Sequence, residues 1–348
     1  MIYMVCIVVV TLCAFIAERS ERKVPIFLIA VILSLFCGLR GVTVGVDTGN
    51  YYIFLNYIRE LGISFGSDIG FSIISYFLMG FFDNPHYVLL IYATLTNFLI
   101  VYRLWDFRQR ASFPLMILIY AIIHYSYTFN IVRQFLAISI VFFATRYLEK
   151  KENIKYIIMN TLAVTIHASS VLGFCFLFVS FGFERKTKKV KLISFAFAVV
   201  SIIVGIFIFS SNIDRYDQHF LSITSSIHLM TILKLTFVFA IIIVGKLYKN
   251  TCFSSDNKHS AVPMNKEVPT MYQFALILSM LGMFFPFMNR VGFYFILYEL
   301  PFWGQVVRAK KNKSLYRMMI SAILLYTFVV TLLTDTSGLI DYVTFLQD

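Results

Sequence analysis

Between Leu39 and Tyr52 the chain reads LRGVTVGVDTGNYY, which sets Arg40, Asp47, Tyr51 and Tyr52 directly after an apolar run. Four more polar spots interrupt otherwise apolar text: Asp68, the Arg133–Gln134 pair, His167 with Ser169, and Arg290. Guanidinium groups stay charged at any relevant pH and grip phosphates bidentately, so Arg40, Arg133 and Arg290 together suit a diphosphate. Asp47 or His167 could take a proton, and the ring nitrogen titrates near working pH. Tyr51, Tyr52, Tyr125 and Tyr127 could stack on sugar rings. No His-x-x-His or comparable ligand spacing is present, so no metal and no cofactor is expected. Each residue also has a plainer reading. Arg40 could snorkel from a helix end, Asp47 could close an Asx turn, and Asp68 could cap the following helix. Tyr51 and Tyr52 could be interfacial belt aromatics. His167 could be a core histidine, or it could mark a helix break at HASS whose free amides bind an anion.

The elements that must position these groups are apolar. Of 348 residues 59% are hydrophobic and 14% charged, well below the charged share of a soluble chain. Runs near bilayer length recur throughout, and they are continuous rather than alternating, which predicts helices and not a barrel. The fold class is therefore all-α: a polytopic bundle of about 10–12 transmembrane or partial helices forming one integral-membrane domain over 1–348, with the polar site at the periplasmic side. The net charge of +12 lies in short loops between apolar runs, the pattern of cytoplasmic loops, so nucleic acid is not an expected partner. With 18–23, 103–110, 146–155, 184–191, 246–266 and 308–317 inside, the interval 40–68, the 124–133 turn, the 289–290 turn and the C-terminus face out. Four of the five cysteines lie in apolar runs and read as buried free thiols. The first run, Met1–Ala17, lacks a basic leader and is expected to be a retained helix.

Two stretches resist simple crossing. Ile69–Phe82 is too short to span well and is expected to dip or lie oblique. Tyr156–Phe181 is expected to break at HASS and return as a helical hairpin, because broken helices at membrane depth are tolerated where they line a polar cavity. Within 40–68, apolar residues at Tyr51, Phe54, Leu55, Ile58 and Leu61 predict a periplasmic amphipathic helix at the interface. Helices are also expected near Leu192–Ser210, Leu229–Lys246, Tyr272–Met288, Val291–Val307 and Met318–Leu333.

The quoted segments resemble the EpsG family of Wzy-type bacterial polysaccharide polymerases over nearly the whole chain. LRGVTVGVDTGNYY is similar to that family's Arg…Gly-x-Asp…Tyr signature. NIVRQFLAISIVFFATRYLEKKENIKYIIMNTLAVTIHASSVLGF is similar to its Arg-Gln helix, basic loop and His-x-Ser segment. NRVGFYF, with Arg290 and Tyr294, resembles its late Arg…Tyr helix start. Where that family often carries Glu-Pro-Gly-Tyr/Phe, this chain has Ser67-Asp68-Ile69-Gly70-Phe71, a shortened carboxylate. The resemblance implies a metal-independent glycosyltransferase in the bacterial inner membrane. It would move a growing chain from undecaprenyl pyrophosphate onto a new lipid-linked repeat unit. Arg133, Arg290 and Arg40 would hold the pyrophosphate, and His167 or Asp47 would act as base. Gln134, Tyr51, Tyr52, Ser169, Asp68 and Tyr294 would contact the undecaprenyl-pyrophosphate-linked oligosaccharide. Membrane lipid and a chain-length regulator are further partners it leaves room for. The alternatives are a flippase for lipid-linked oligosaccharides, or a related membrane ligase or acyltransferase.

Overall fold

The computed structural model describes residues 2–63, 68–184, 267–282, 287–308 and 341–346, with scattered positions between them. Within that set every regular element is helical. The helices are α1 (Ile2–Ser20), α2 (Lys23–Gly38), α3 (Thr48–Leu61), α4 (Ile69–Phe81), α5 (Pro85–Asp106), α6 (Phe113–Ile119), α7 (Tyr127–Asn130), α8 (Val132–Glu149), α9 (Asn153–Ile166), α10 (Phe174–Glu184), α11 (Glu267–Leu281), α12 (Phe287–Ile296) and α13 (Glu299–Arg308). A π-turn at Tyr120–His124 extends α6, and a 3-10 segment at Ala168–Gly173 precedes α10. The helices expected at 192–210 and 229–246 lie outside the described residues apart from isolated positions, as does most of 318–333. Among the described residues two helices, α1 and α5, are long and apolar enough to cross a membrane alone; α2, α4, α6 with its π-turn, α10 and α11 are shorter apolar helices.

The bundle has two polar ends, named here by Arg40 and Arg103. Helices α2 and α5 run antiparallel, since Phe27 meets Phe98 and Gly38 meets Leu90. Their contact is close because Gly38 has no side chain: a Cβ there would lie 2.6 Å from the Leu90 Cα. At the far end the Arg103 guanidinium of α5 is buried among Asp106, the Glu149 carboxylate of α8 and the Phe107 ring, and Arg146 also reaches Asp106. Helix α8 thus carries Arg133 at one end and this ion-pair network at the other, with apolar residues between.

The short stretch before α5 forms a single helix of 13 residues, α4. Asp68 at its start and Asp83 after its end both belong with the Arg40 end, because α5 begins there. Halfway along α4, Ser75 bonds the Tyr92 hydroxyl at 2.7 Å, two turns down α5. Helix α4 is one unbroken stretch beside α3, from Phe71 against Tyr51 and Phe54 to Asp83, just past its end, against Arg59, so of the two expected dispositions it lies oblique. The second awkward stretch turns back. Helix α9 ends at His167, whose backbone is extended (φ −151°, ψ 116°). Beyond it the Tyr156 hydroxyl donates to the Gly173 carbonyl, and a Cβ on Gly173 would strike the Asn160 side chain. In one straight helix Tyr156 and Gly173 would be about 25 Å apart, so the chain reverses at HASS as expected.

Arg40 holds this end together. It is fully buried, with Nε donating to Thr48 Oγ1 at 2.8 Å, Nη1 to the Cys37 carbonyl at 2.6 Å and Nη2 to the Phe129 carbonyl at 3.1 Å. Its backbone pairs with Thr344, while Gly41 and Leu39 bond Val343 and Phe345. The guanidinium therefore joins the end of α2, the start of α3 and α7, while the backbone around it joins the C-terminal strip. Removing it leaves three acceptors unpaired, each costing about 1–3 kcal/mol when buried. Arg40→Ala is expected to lower the melting temperature of the detergent-solubilised protein sharply. Arg40→Lys should not restore it, because one ammonium cannot reach all three acceptors; a wild-type melting curve for the lysine variant would refute this role.

Candidate functional site

The polar groups that gather at the Arg40 end are built around Asp68. Its position before α4 suggested a helix cap, yet its carboxylate makes no cap bond to α4. Instead Oδ2 lies 3.1 Å from His167 Nδ1 and 3.3 Å from Arg133 Nη1. Oδ1 accepts the Ala168 amide at 3.1 Å. The carboxylate thus caps the break that follows α9, taking the first amide freed where helical bonding stops. Burial raises the carboxyl's tendency to keep its proton, but the bond and charge of His167, the Ala168 amide and Arg133 outweigh it and hold Asp68 below its ordinary value. An ionised carboxylate can only accept, so His167 Nδ1 carries the hydrogen, and in the neutral ring Nε2 carries the lone pair.

Arg133 opens the first turn of α8, over one-third of its side chain exposed. Phe54, Phe71 and Tyr51 wall it in, with ring centroids 5.5, 5.6 and 5.9 Å from the guanidinium carbon. The Tyr51 hydroxyl also accepts the Arg133 amide at 3.4 Å. Burial pushes the Tyr51 phenol up, against the pull of Arg133, so it stays neutral and can serve as donor or acceptor. Gln134, one residue on, is buried and donates Nε2 to the Arg290 carbonyl at 3.0 Å, tying α8 to the first turn of α12. One turn later on α12, the Tyr294 hydroxyl sits 2.9 Å from Ser169 and 3.0 Å from Ser170. These bonds fasten the α9 break to α12.

The expected residues therefore divide. Asp68, Arg133 and His167 form one cluster, with Tyr51 beside it and Gln134, Ser169 and Tyr294 locking its supports. Arg290 shares this end through its backbone bond to Gln134. Asp47 precedes α3, where its carbonyl accepts the Tyr51 amide at 3.1 Å, and its charge acts on the Tyr51 phenol. Tyr52 turns away to the His86 ring, 5.3 Å off. Arg40 does not face the cluster: its donors are spent inside the loop, so three arginines do not share one opening. Phe54, Phe71 and Ser170 were not among the expected site residues. The i, i+3 spacing of Tyr51 and Phe54 was the available signal for the first, and the doubled serine after His167 for the last. Among the described residues no three His, Cys, Asp or Glu side chains gather as metal ligands.

Because its folded value is depressed, ionised Asp68 stabilises the fold above the ordinary carboxylate range, near pH 4, and that contribution is lost as pH falls through the lowered value. The melting-temperature gap between wild type and Asp68→Asn should be present at about pH 5 and close as the pH falls below that ordinary range. A gap that grows below about pH 4 would contradict the sign.

No curated protein and no solved structure is significantly similar to the chain. A family model described as EpsG family matches residues 23–344, a span that includes every residue of the cluster. The chain that bends around Asp68 thus belongs to the EpsG family, a family associated with membrane proteins of the polysaccharide-polymerase type.

Proposed function

We propose that the protein is a polysaccharide polymerase, a membrane glycosyltransferase with its site on the periplasmic side of a bacterial inner membrane. It takes a growing chain from undecaprenyl pyrophosphate and adds it to a lipid-linked repeat unit. The observation that carries this reading is the Asp68 carboxylate bridging His167 and Arg133, because it sets a proton acceptor beside a phosphate-binding cation. In the proposed step an acceptor sugar hydroxyl gives its proton to His167 Nε2. The oxygen forms a bond to the donor's anomeric carbon. The bond from that carbon to the diphosphate oxygen breaks, and its electron pair leaves with the lipid diphosphate. Arg133 meets the charge that develops there, and Arg290 is the second cation proposed to assist. Asp68 stabilises the imidazolium that forms and fixes the ring's tautomer, and Asp47 remains the alternative base. Neutral Tyr51, with Phe54 and Phe71, offers a wall for a sugar ring. The step as proposed needs no metal.

General-base removal costs about 10²–10⁴ in rate and loss of a charge-stabilising donor about 10²–10³. His167→Ala is therefore expected to abolish polymer and leave single repeat units. Arg133→Lys should lower in-vitro polymerisation of a defined lipid-linked repeat about 100-fold, with the wild-type rate unchanged by EDTA. A full-length ladder from His167→Ala would refute the base assignment.

A further inference from the structure

Helices α3 and α4 enclose a groove of about 280 Å³, lined by Arg59, Tyr76, Phe77, Met79, Gly80 and Phe81. Met79 is buried as its floor, whereas Phe77 and Phe81 are 61% and 79% exposed. Gly80 faces open space, with nothing within 4 Å of where a Cβ would stand. Arg59 supplies the groove's cation. It is exposed, and Nη1 donates to the Asp83 carbonyl at 2.7 Å, a neutral partner that leaves its charge uncancelled at that contact. The neighbouring Glu60 and Asp83 side chains are exposed and do not line the groove. An exposed guanidinium at the mouth of an open apolar trough matches one ligand chemistry, an anionic headgroup on a hydrocarbon chain.

We infer that this groove binds the diphosphate and first isoprene units of the acceptor lipid, a site separate from the one at Arg133. The inference rests on the polymerase reading for which lipid binds. The geometry fits the two substrates. The donor reacts at the carbon next to its diphosphate, so its diphosphate belongs at the reaction centre. The acceptor reacts at the far end of its repeat unit, so its diphosphate must be held some sugars away. Tyr51 touches Arg133, and Arg59 lies eight residues further along α3, about 12 Å of helix axis. The same two helices carry both positions: Tyr51, Phe54 and Phe71 at the Arg133 cluster, and Arg59 with Tyr76–Phe81 at the groove.

The test titrates the full-length protein in nanodiscs with farnesyl diphosphate and counts bound equivalents by native mass spectrometry, with inorganic diphosphate as a control for binding that needs no hydrocarbon. Wild type should bind two equivalents of farnesyl diphosphate, and Arg59→Ala and Arg133→Ala one each. Gly80→Leu, which fills the groove and keeps the charge, should also lose one. In polymerisation, Arg59→Ala should raise the half-saturating concentration of the lipid-linked repeat about tenfold and leave the saturated rate within about twofold, whereas Arg133→Ala should lower the saturated rate. Two equivalents retained by Arg59→Ala, a single equivalent in wild type that Arg133→Ala abolishes and Arg59→Ala keeps, or equal occupancy by inorganic diphosphate at the Arg59 position would each overturn the groove while leaving the Arg133 reading intact. Binding of none by wild type would overturn both.

Discussion

The carboxylate of Asp68 is the constraint on which this end of the bundle depends. A largely buried anion is tolerable only if donors replace its water, and here the donors come from three places in the chain: the His167 ring, the Ala168 amide and the Arg133 guanidinium. To satisfy it, α4 must begin beside α8, and α9 must stop where it does. The hairpin then returns with Gly173 against Asn160, which only a residue without a side chain permits. Such an arrangement is weak as a source of stability, because desolvation consumes much of the Coulomb gain. Its effect is to select one geometry, since any shift of the break strands a charge.

Some of this is legible in the sequence. The Ala-Ser-Ser after His167 marks the break, the shortness of the α4 segment marks a helix that lies oblique, and the apolar spacing of 51–61 marks α3. Those signals are local, so sequence carries them. What it could not carry is the choice among side chains of one type. Arg40 and Arg133 each stand at a helix end beside polar text, yet one is sealed among Thr48, Cys37 and Phe129 and the other is open. Tyr51 and Tyr52 are adjacent, but about 100° separates neighbours on a helix, which sends one to Arg133 and the other to His86. Asp68 meets His167 across 99 residues, and no periodicity spans that interval.

A second polar pair explains why two further helices are broken. His124 ends the π-turn after α6 and lies fully buried, its Nε2 3.0 Å from Glu299 Oε2 at the start of α13. Tyr272 of α11 donates to the other Glu299 oxygen at 3.2 Å. No His-x-x-His spacing drew attention to His124, because its partner is 175 residues away. The π-turn and the α12–α13 break meet at this pair. An ionisable pair placed deep among apolar helices is costly unless mutually satisfied. A helix that swells or stops lets each side chain reach the other. Helix α12 is thereby pinned at both ends, by Glu299 just beyond it and by Tyr294 and the Arg290 carbonyl near its start.

That pinning bears on how Arg133 could serve a diphosphate. Its contact to Asp68 is 3.3 Å, longer than the 2.7–2.9 Å of a tight charge-assisted bond, and the side chain is partly open to solvent. Asp68 keeps two other donors if Arg133 leaves, so the carboxylate is not stranded when the guanidinium turns to a ligand. Arg40 has no such freedom, since each of its acceptors would lose a donor at once. Two arginines on one end of the bundle are thus separated by what each would abandon by moving. The proposed site falls to the one whose departure leaves its former partner satisfied.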